Sequence, residues 1–177
     1  AVRLVVDTGI HQQRWPRDPG EVEMMGVLAR STTASEKYLA RNKAILRPNA
    51  FKKLKLGVYQ HSSVARDMLV DVLRYYGAEV VALGRSAKFV AVDTEAVSDQ
   101  TKRKLKKWTR EHGLDAILSA DGDGDRPLVS DDNGLPVRGD LLGLVCAEFL
   151  RARVVVTPVT SNSGIEASKE CSVVRTR

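Results

Sequence analysis

Ser119-Ala120-Asp121-Gly122-Asp123-Gly124-Asp125-Arg126-Pro127 is the stretch that organises this chain. Its carboxylates at alternate positions repel one another at neutral pH, and a hard cation with oxygen ligands relieves that repulsion. The glycines between them carry no Cβ, so the backbone can wrap until the side chains converge. Three carboxylates leave positions open on a small octahedral ion. Mg²⁺ is therefore the expected cofactor, with Asp121, Asp123 and Asp125 as its ligands. Arg126 can present a bidentate fork to a phosphate oxygen. Cation and arginine together neutralise the charge that spreads over the equatorial oxygens in phosphoryl transfer. An EF-hand also opens with alternating acids, and Asp132 falls at its twelfth position. Arg126, however, stands where that loop needs glycine, and a strand rather than a helix precedes it. The remaining alternative is an Asp/Gly-rich surface turn that holds no ion.

The segments around this loop alternate between β-rich and helical patterns. Asp115 to Ala120 reads as a strand leading into the acidic loop, and Leu128 to Ser130 as a short strand leaving it. Asp131-Asp132-Asn133-Gly134 is a turn signal, so the chain folds back there. Upstream, Leu54 to Tyr59 is a strand. Val64 to Tyr76 has Leu69, Val72, Leu73 and Tyr76 at helical spacing, with Gly77 as its stop. Glu79 to Leu83 is a second strand, and Ser98 caps a basic helix that runs to Gly113. Downstream, Asp140 is expected to cap a helix through Leu150, before a buried strand over Arg153 to Val159.

This alternation predicts an α/β fold: a three-layer α/β/α sandwich on a mostly parallel sheet, with a short antiparallel strand after the metal loop. The acidic loop then lies at the C-terminal end of a strand, the edge where α/β sheets bind ligands. Residues 51–152 form the expected metal-binding domain, and 153–177 the start of a following, truncated one. Residues 1–50 remain an unassigned N-terminal segment, with a strand over Val2 to Val6, a loop over Trp15 to Gly20 and helical stretches over Glu21 to Leu46. Ser172 to Arg177 begins a strand without its continuation, so a fragment is expected.

The 177 residues are 43% hydrophobic and 28% charged, a globular balance, but only 5% aromatic, so the core rests on aliphatic side chains. The net charge of +6 raises the question of nucleic acid. Its main cluster, Lys102, Arg103, Lys104, Lys106, Lys107 and Arg110, interleaves with Leu105 and Trp108, the pattern of a solvated helix face. No nucleic-acid partner is expected. Cys146 and Cys171 lack metal-ligand or redox spacing and read as reduced thiols. No apolar run approaches the roughly 20 residues of a membrane span, and Arg3 and Asp7 interrupt the only apolar N-terminal stretch. A cytoplasmic protein without membrane contact is expected.

With these motifs in place, the sequence resembles the α-D-phosphohexomutases, the phosphomannomutase and phosphoglucomutase superfamily. Their metal loop reads Asp-Gly-Asp-x-Asp-Arg, which Asp121 to Arg126 matches. Leu56-Gly57, Gly77 to Val81, Gly134 and Arg138-Gly139-Asp140 look like the family's second domain. Val156 to Val159 and Ser161-Asn162 resemble its passage into the third. Phe89 to Glu95 is similar to a bacterial phosphomannomutase-type branch. The resemblance implies a multidomain mutase that moves a phosphoryl group between C1 and C6 of a hexose phosphate. A phosphoserine from the first domain acts with Mg²⁺ held by Asp121, Asp123 and Asp125, and Arg126 supports the phosphoryl group. The family's serine loop is not matched here: Thr33-Ala34-Ser35 is followed by Glu36-Lys37, within a helical stretch. The chain alone is therefore expected to be inactive. The alternative is a non-catalytic metal- or phosphosugar-binding module of the same descent. Edges that normally meet other domains leave self-association possible.

Smaller candidates complete the reading. His61 at a strand end is expected to be solvated or locally hydrogen-bonded, with a place facing the active-site edge as its alternative, and Ser62 or Ser63 to cap the following helix. Arg85 is expected to be a surface charge, with phosphate contact as its alternative. His11 and His112 have no partners that the sequence reveals.

Overall fold

The computed structural model describes residues 32–167 and 171–177. The expected strand at Val2 to Val6, the loop at Trp15 to Gly20, the beginning of the Glu21 to Leu46 stretch, and His11 lie outside the described residues. The chain divides into the units Ala1–Glu36 and Lys37–Arg177, and the architecture below is that of the second. Helix α1 (Thr33–Lys43) contains Ser35 as an exposed helical residue.

Alternation along three strands builds the sheet. In β1 (Lys55–Tyr59), Leu56 and Val58 point to one face, while Gly57 and Tyr59 point to the other. β1 pairs in parallel with β2 (Glu79–Leu83) on one side and β3 (Ala116–Ala120) on the other. The intervening helices are α2 (Arg66–Tyr75), between β1 and β2, and α3 (Asp99–His112), between β2 and β3. The two crossovers step in opposite directions along the sheet, so right-handed connections place their helices on opposite faces. The side chains agree. Val70 and Leu73 of α2 pack on Leu56 and Val58, whereas Leu105 and Trp108 of α3 pack against Tyr59, Leu83, Ile117 and Leu128. This is the expected three-layer arrangement.

The basic helix has the boundaries its caps predict. The Ser98 hydroxyl accepts from the Thr101 N–H at 3.2 Å, and Gly113 closes the helix in a left-handed conformation. Leu105 and Thr109 are buried, while Lys102, Arg103, Lys106, Lys107 and Arg110 lie in water. The cluster is therefore the solvated face of an amphipathic helix.

Beyond β3 the sheet changes sense. β4 (Pro127–Ser130) returns antiparallel to β3, and a two-residue edge strand β5 (Pro136–Val137) pairs antiparallel with β4, giving the order β2-β1-β3-β4-β5. β5 is absent from the sequence reading because two residues carry no periodicity. Its Pro136 is tolerated as the first residue of an edge strand. The predicted turn joins β4 to β5: the Asp131 carboxylate accepts from the N–H groups of Asn133 and Leu135 at 3.0 and 2.7 Å.

Helix α4 (Gly139–Phe149) follows, then β6 (Val154–Pro158), a 3₁₀ turn (Ser163–Ala167) and β7 (Ser172–Thr176). β6 and β7 form a separate two-stranded parallel sheet. Asp140 does not cap α4 as expected, because Arg138 occupies the cap position and Asp140 lies inside the first turn. Its carboxylate instead takes two bonds from the Arg138 guanidinium and one from the Asn162 N–H at 2.8 Å, joining the start of α4 to the loop after β6. Among the described residues, no helix is long and apolar enough to cross a membrane.

Candidate metal centre

Parallel β1, β2 and β3 send three loops to one edge of the sheet. The acidic loop is the connection between β3 and β4. Ala120 and Pro127 are the last paired residues, and the loop's closing bond runs from the Asp121 N–H to the Arg126 carbonyl at 3.1 Å. Asp121 shapes the interior of the loop, since one carboxylate oxygen accepts from the N–H groups of Gly124, Asp125 and Arg126 at 3.1 to 3.2 Å. Gly124 sits at φ +83° with the Ala65 side chain 3.2 Å from where a Cβ would stand, so both the angle and the space call for glycine.

This wrapping brings Asp121, Asp123 and Asp125 together, with one oxygen from each within 4.8 Å of the others. Oxygens on a common octahedral Mg²⁺ lie about 3 to 4 Å apart, so a small contraction closes the set around one ion. Asp121 is half-buried, while Asp123 and Asp125 are exposed. Arg126 lies against them. Its Nε is 3.5 Å from Asp121 and 3.6 Å from Asp125, and its terminal nitrogen is 3.5 Å from Glu95.

The ionisation pattern is that of crowded like charges. The Asp123 charge, with burial and Asp121, pushes the Asp125 carboxyl up. Asp121 goes the other way: burial opposes its ionised form, but the N–H donors of Arg126 and Gly124 and the neighbouring carboxyls carry it below the ordinary value. A cation removes the repulsion that raises Asp125.

Two further loops frame the centre. Residues 60–65 follow β1, and the Val64 N–H donates to the Gly122 carbonyl at 3.0 Å. Residues 84–97 follow β2 and form no helix or strand. They are anchored by the Ser62 hydroxyl, which accepts from the Val90 N–H at 2.9 Å and donates to the Val90 carbonyl at 3.3 Å. Asp93 accepts from the N–H groups of Glu95 and Ala96, both at 2.8 Å, and these bonds lower its pKa. That turn presents Glu95 to Arg126. Asp-Thr-Glu-Ala is legible as a side-chain-capped turn, but the pairing of Glu95 with Arg126 depends on loop placement that no local pattern encodes.

Several smaller expectations change. His61 is neither solvated nor locally bonded. It is fully buried, and its Nε2 lies 2.7 Å from the carbonyl oxygen of Ala120, 59 residues away. Neither Ser62 nor Ser63 caps α2, since Ala65 holds the cap position without a side-chain bond. Ser62 anchors Val90, and the Ser63 hydroxyl accepts from the Ala65 N–H at 3.2 Å. Arg85 is exposed as expected and paired, forming two bonds to Asp67 at 2.6 and 3.2 Å. Cys146 and Cys171 are free.

The chain is similar to known proteins in sequence and in fold. The chain is 52% identical over 147 residues to a phosphomannomutase from Sinorhizobium fredii, covering 83% of this chain and 31% of that protein. It is 44% identical over 137 residues to a phosphomannomutase from Salmonella muenchen, covering 77% and 29%. It thus spans about a third of the length of these relatives. A crystal structure of a phosphoglucomutase/phosphomannomutase family protein from Burkholderia thailandensis shares the fold, with a TM-score of 0.65 at 17% identity, over 81% of this chain and 33% of the other. The family described as phosphoglucomutase/phosphomannomutase, alpha/beta/alpha domain II, matches residues 36–134. With more than half its length in that match and the acidic loop inside it, the chain belongs to the phosphoglucomutase/phosphomannomutase family.

Proposed function

We propose that this chain supplies the Mg²⁺-binding domain of a phosphohexomutase, an enzyme that interconverts hexose 1-phosphate and 6-phosphate. Residues 51–152 form that domain, and 153–177 begin the next. The observation that carries the reading is the convergence of Asp121, Asp123 and Asp125 within 4.8 Å, with Arg126 alongside, at the ligand-binding edge of the sheet. When bound, Mg²⁺ supplies positive charge against a transferring phosphoryl group. Asp121 is already oriented by its three N–H donors, so the ion closes a partly formed site rather than ordering a free loop. Arg126 is 56% exposed and can turn its fork to phosphate as the carboxylates commit to the ion. Ser35 is an exposed residue within a helix and lacks the family's serine-loop sequence, so it is not assigned as the phosphoryl carrier. The phosphoserine belongs to a part of the enzyme outside this chain.

The test is calorimetric titration of Mg²⁺ into the chain, with Asp123→Asn alongside, and mutase assays of the full-length protein with and without the same change. The expected result is Mg²⁺ binding that falls at least tenfold in the variant, with matching loss of turnover. Equal affinity and equal turnover in both proteins would overturn the proposal.

A further inference from the structure

We infer that His61 is the positioning residue of the metal loop, acting through the Ala120 carbonyl and resting on the metal site proposed above. The histidine has 0% exposure, and its Nε2 lies 2.7 Å from Ala120 O, the oxygen immediately before Asp121. The adjacent Ser119 hydroxyl has one proton and sits 2.6 Å from the Tyr59 carbonyl, against 3.3 Å from Ala120, so the close donor to Ala120 is the imidazole. Nδ1 is buried and meets no hydrogen-bond partner. A proton there would be a buried donor without an acceptor, so the geometry selects the Nε2–H tautomer.

The backbone of His61 is strained, with φ at +27°. Such a conformation in a non-glycine residue persists where its surroundings over-determine it, and it points to a task. Here the His61 carbonyl accepts from the Ser86 N–H at 2.9 Å and from the Arg66 guanidinium at 3.3 Å, while its ring packs at 5.0 Å on Tyr59. His61 thus ties the loops after β1, β2 and β3 together at the root of the acidic loop. By fixing the peptide that enters Asp121, it sets the direction of the one carboxylate that is already held.

The experiment compares the wild-type chain with His61→Phe, which keeps a ring against Tyr59 but has no donor, and His61→Gln, which restores an N–H. Leu73→Ala, buried on the sheet face opposite Tyr59, serves as a destabilised control. The expected result is Mg²⁺ affinity lowered by about tenfold to a hundredfold in His61→Phe, partial recovery in His61→Gln and no change in Leu73→Ala. Ring ¹H–¹⁵N correlations of the metal-free wild type are expected to show protonated Nε2 and bare Nδ1. Equal affinity in wild type and His61→Phe, or a proton on Nδ1, would overturn the inference. If the wild type binds no Mg²⁺, the metal reading fails instead. Amide shifts of Asp121 to Arg126 then decide the positioning role: displacement in His61→Phe but not in His61→Gln supports it, and unmoved shifts in both refute it.

Discussion

Gly134 and Gly113 offer a clean test of what holds the β4–β5 turn in place. Both have left-handed φ, +72° and +59°. A Cβ at Gly113 would meet nothing within 4 Å, so Gly113→Ala should cost only the left-handed penalty of an L-residue, about 1 kcal/mol. A Cβ at Gly134 would stand 2.6 Å from Lys106 Cα, 2.7 Å from Lys106 N and 2.8 Å from Leu105 C. These are backbone atoms of α3, and the fully buried Leu105 fixes that part of the helix in the core. Relief therefore requires the turn to lift off the helix, an overpacking cost of about 1 to 3 kcal/mol added to the same left-handed term. The expected destabilisation of Gly134→Ala is about 2 to 4 kcal/mol, or roughly 5 to 15 °C in Tm for a chain of this size. Urea unfolding followed by circular dichroism measures it as a lower midpoint at unchanged slope. Asparagine separates the contributions, because it tolerates left-handed angles but keeps a Cβ. Gly113→Asn should be nearly neutral and Gly134→Asn still clearly destabilised. If Gly134→Ala is no worse than Gly113→Ala, the close approach to α3 is not what the glycine serves.

Other expectations follow from single contacts. Leu105→Ala should destabilise the chain by about 2 to 5 kcal/mol, since the leucine is fully buried at the α3 interface; urea denaturation measures it. The Asp140 carboxyl is lowered from 3.8 to about 2, first by hydrogen bonds from Arg138, with burial opposing. A depressed carboxylate pKa gives stability that is complete above the unfolded value and lost as pH falls through about 2. Asp140→Asn should therefore flatten the dependence of the unfolding midpoint on pH between about 4 and 2, and an unchanged profile would refute the linkage. Mg²⁺ should raise the Tm of the chain in proportion to the logarithm of its concentration well above Kd, a shift that disappears with chelation and in Asp123→Asn.

Local signals made most of the sheet legible. The short β-rich runs of β1 and β2, the Ser98 and Gly113 caps of α3 and the Asp131 to Gly134 turn each act over a few residues, and each appears where its chemistry requires. The acidic loop was legible for the same reason: alternate carboxylates spaced by glycine form one local unit, and its place after a strand put it at a sheet edge. Asp140 illustrates the limit of such reading. It has the composition of a helix cap, but the partners that determine its position are Arg138 and Asn162, the latter 22 residues away.

The same distinction explains why the burial of His61 and the pairing of Glu95 were not legible. A histidine between Gln60 and two serines carries every mark of a polar turn, and hydropathy places it in water. It is buried because β1 and β3 are neighbours in the sheet, which sets the end of one strand against the start of the acidic loop. Glu95 meets Arg126 because Ser62 holds Val90 and so draws the β2 loop across the edge. The sequence thus encodes the three clustered aspartates locally and their orientation non-locally. The acidic motif alone does not fix the geometry of the cluster, because two loops whose residues carry no metal-binding signature hold its ends and its arginine.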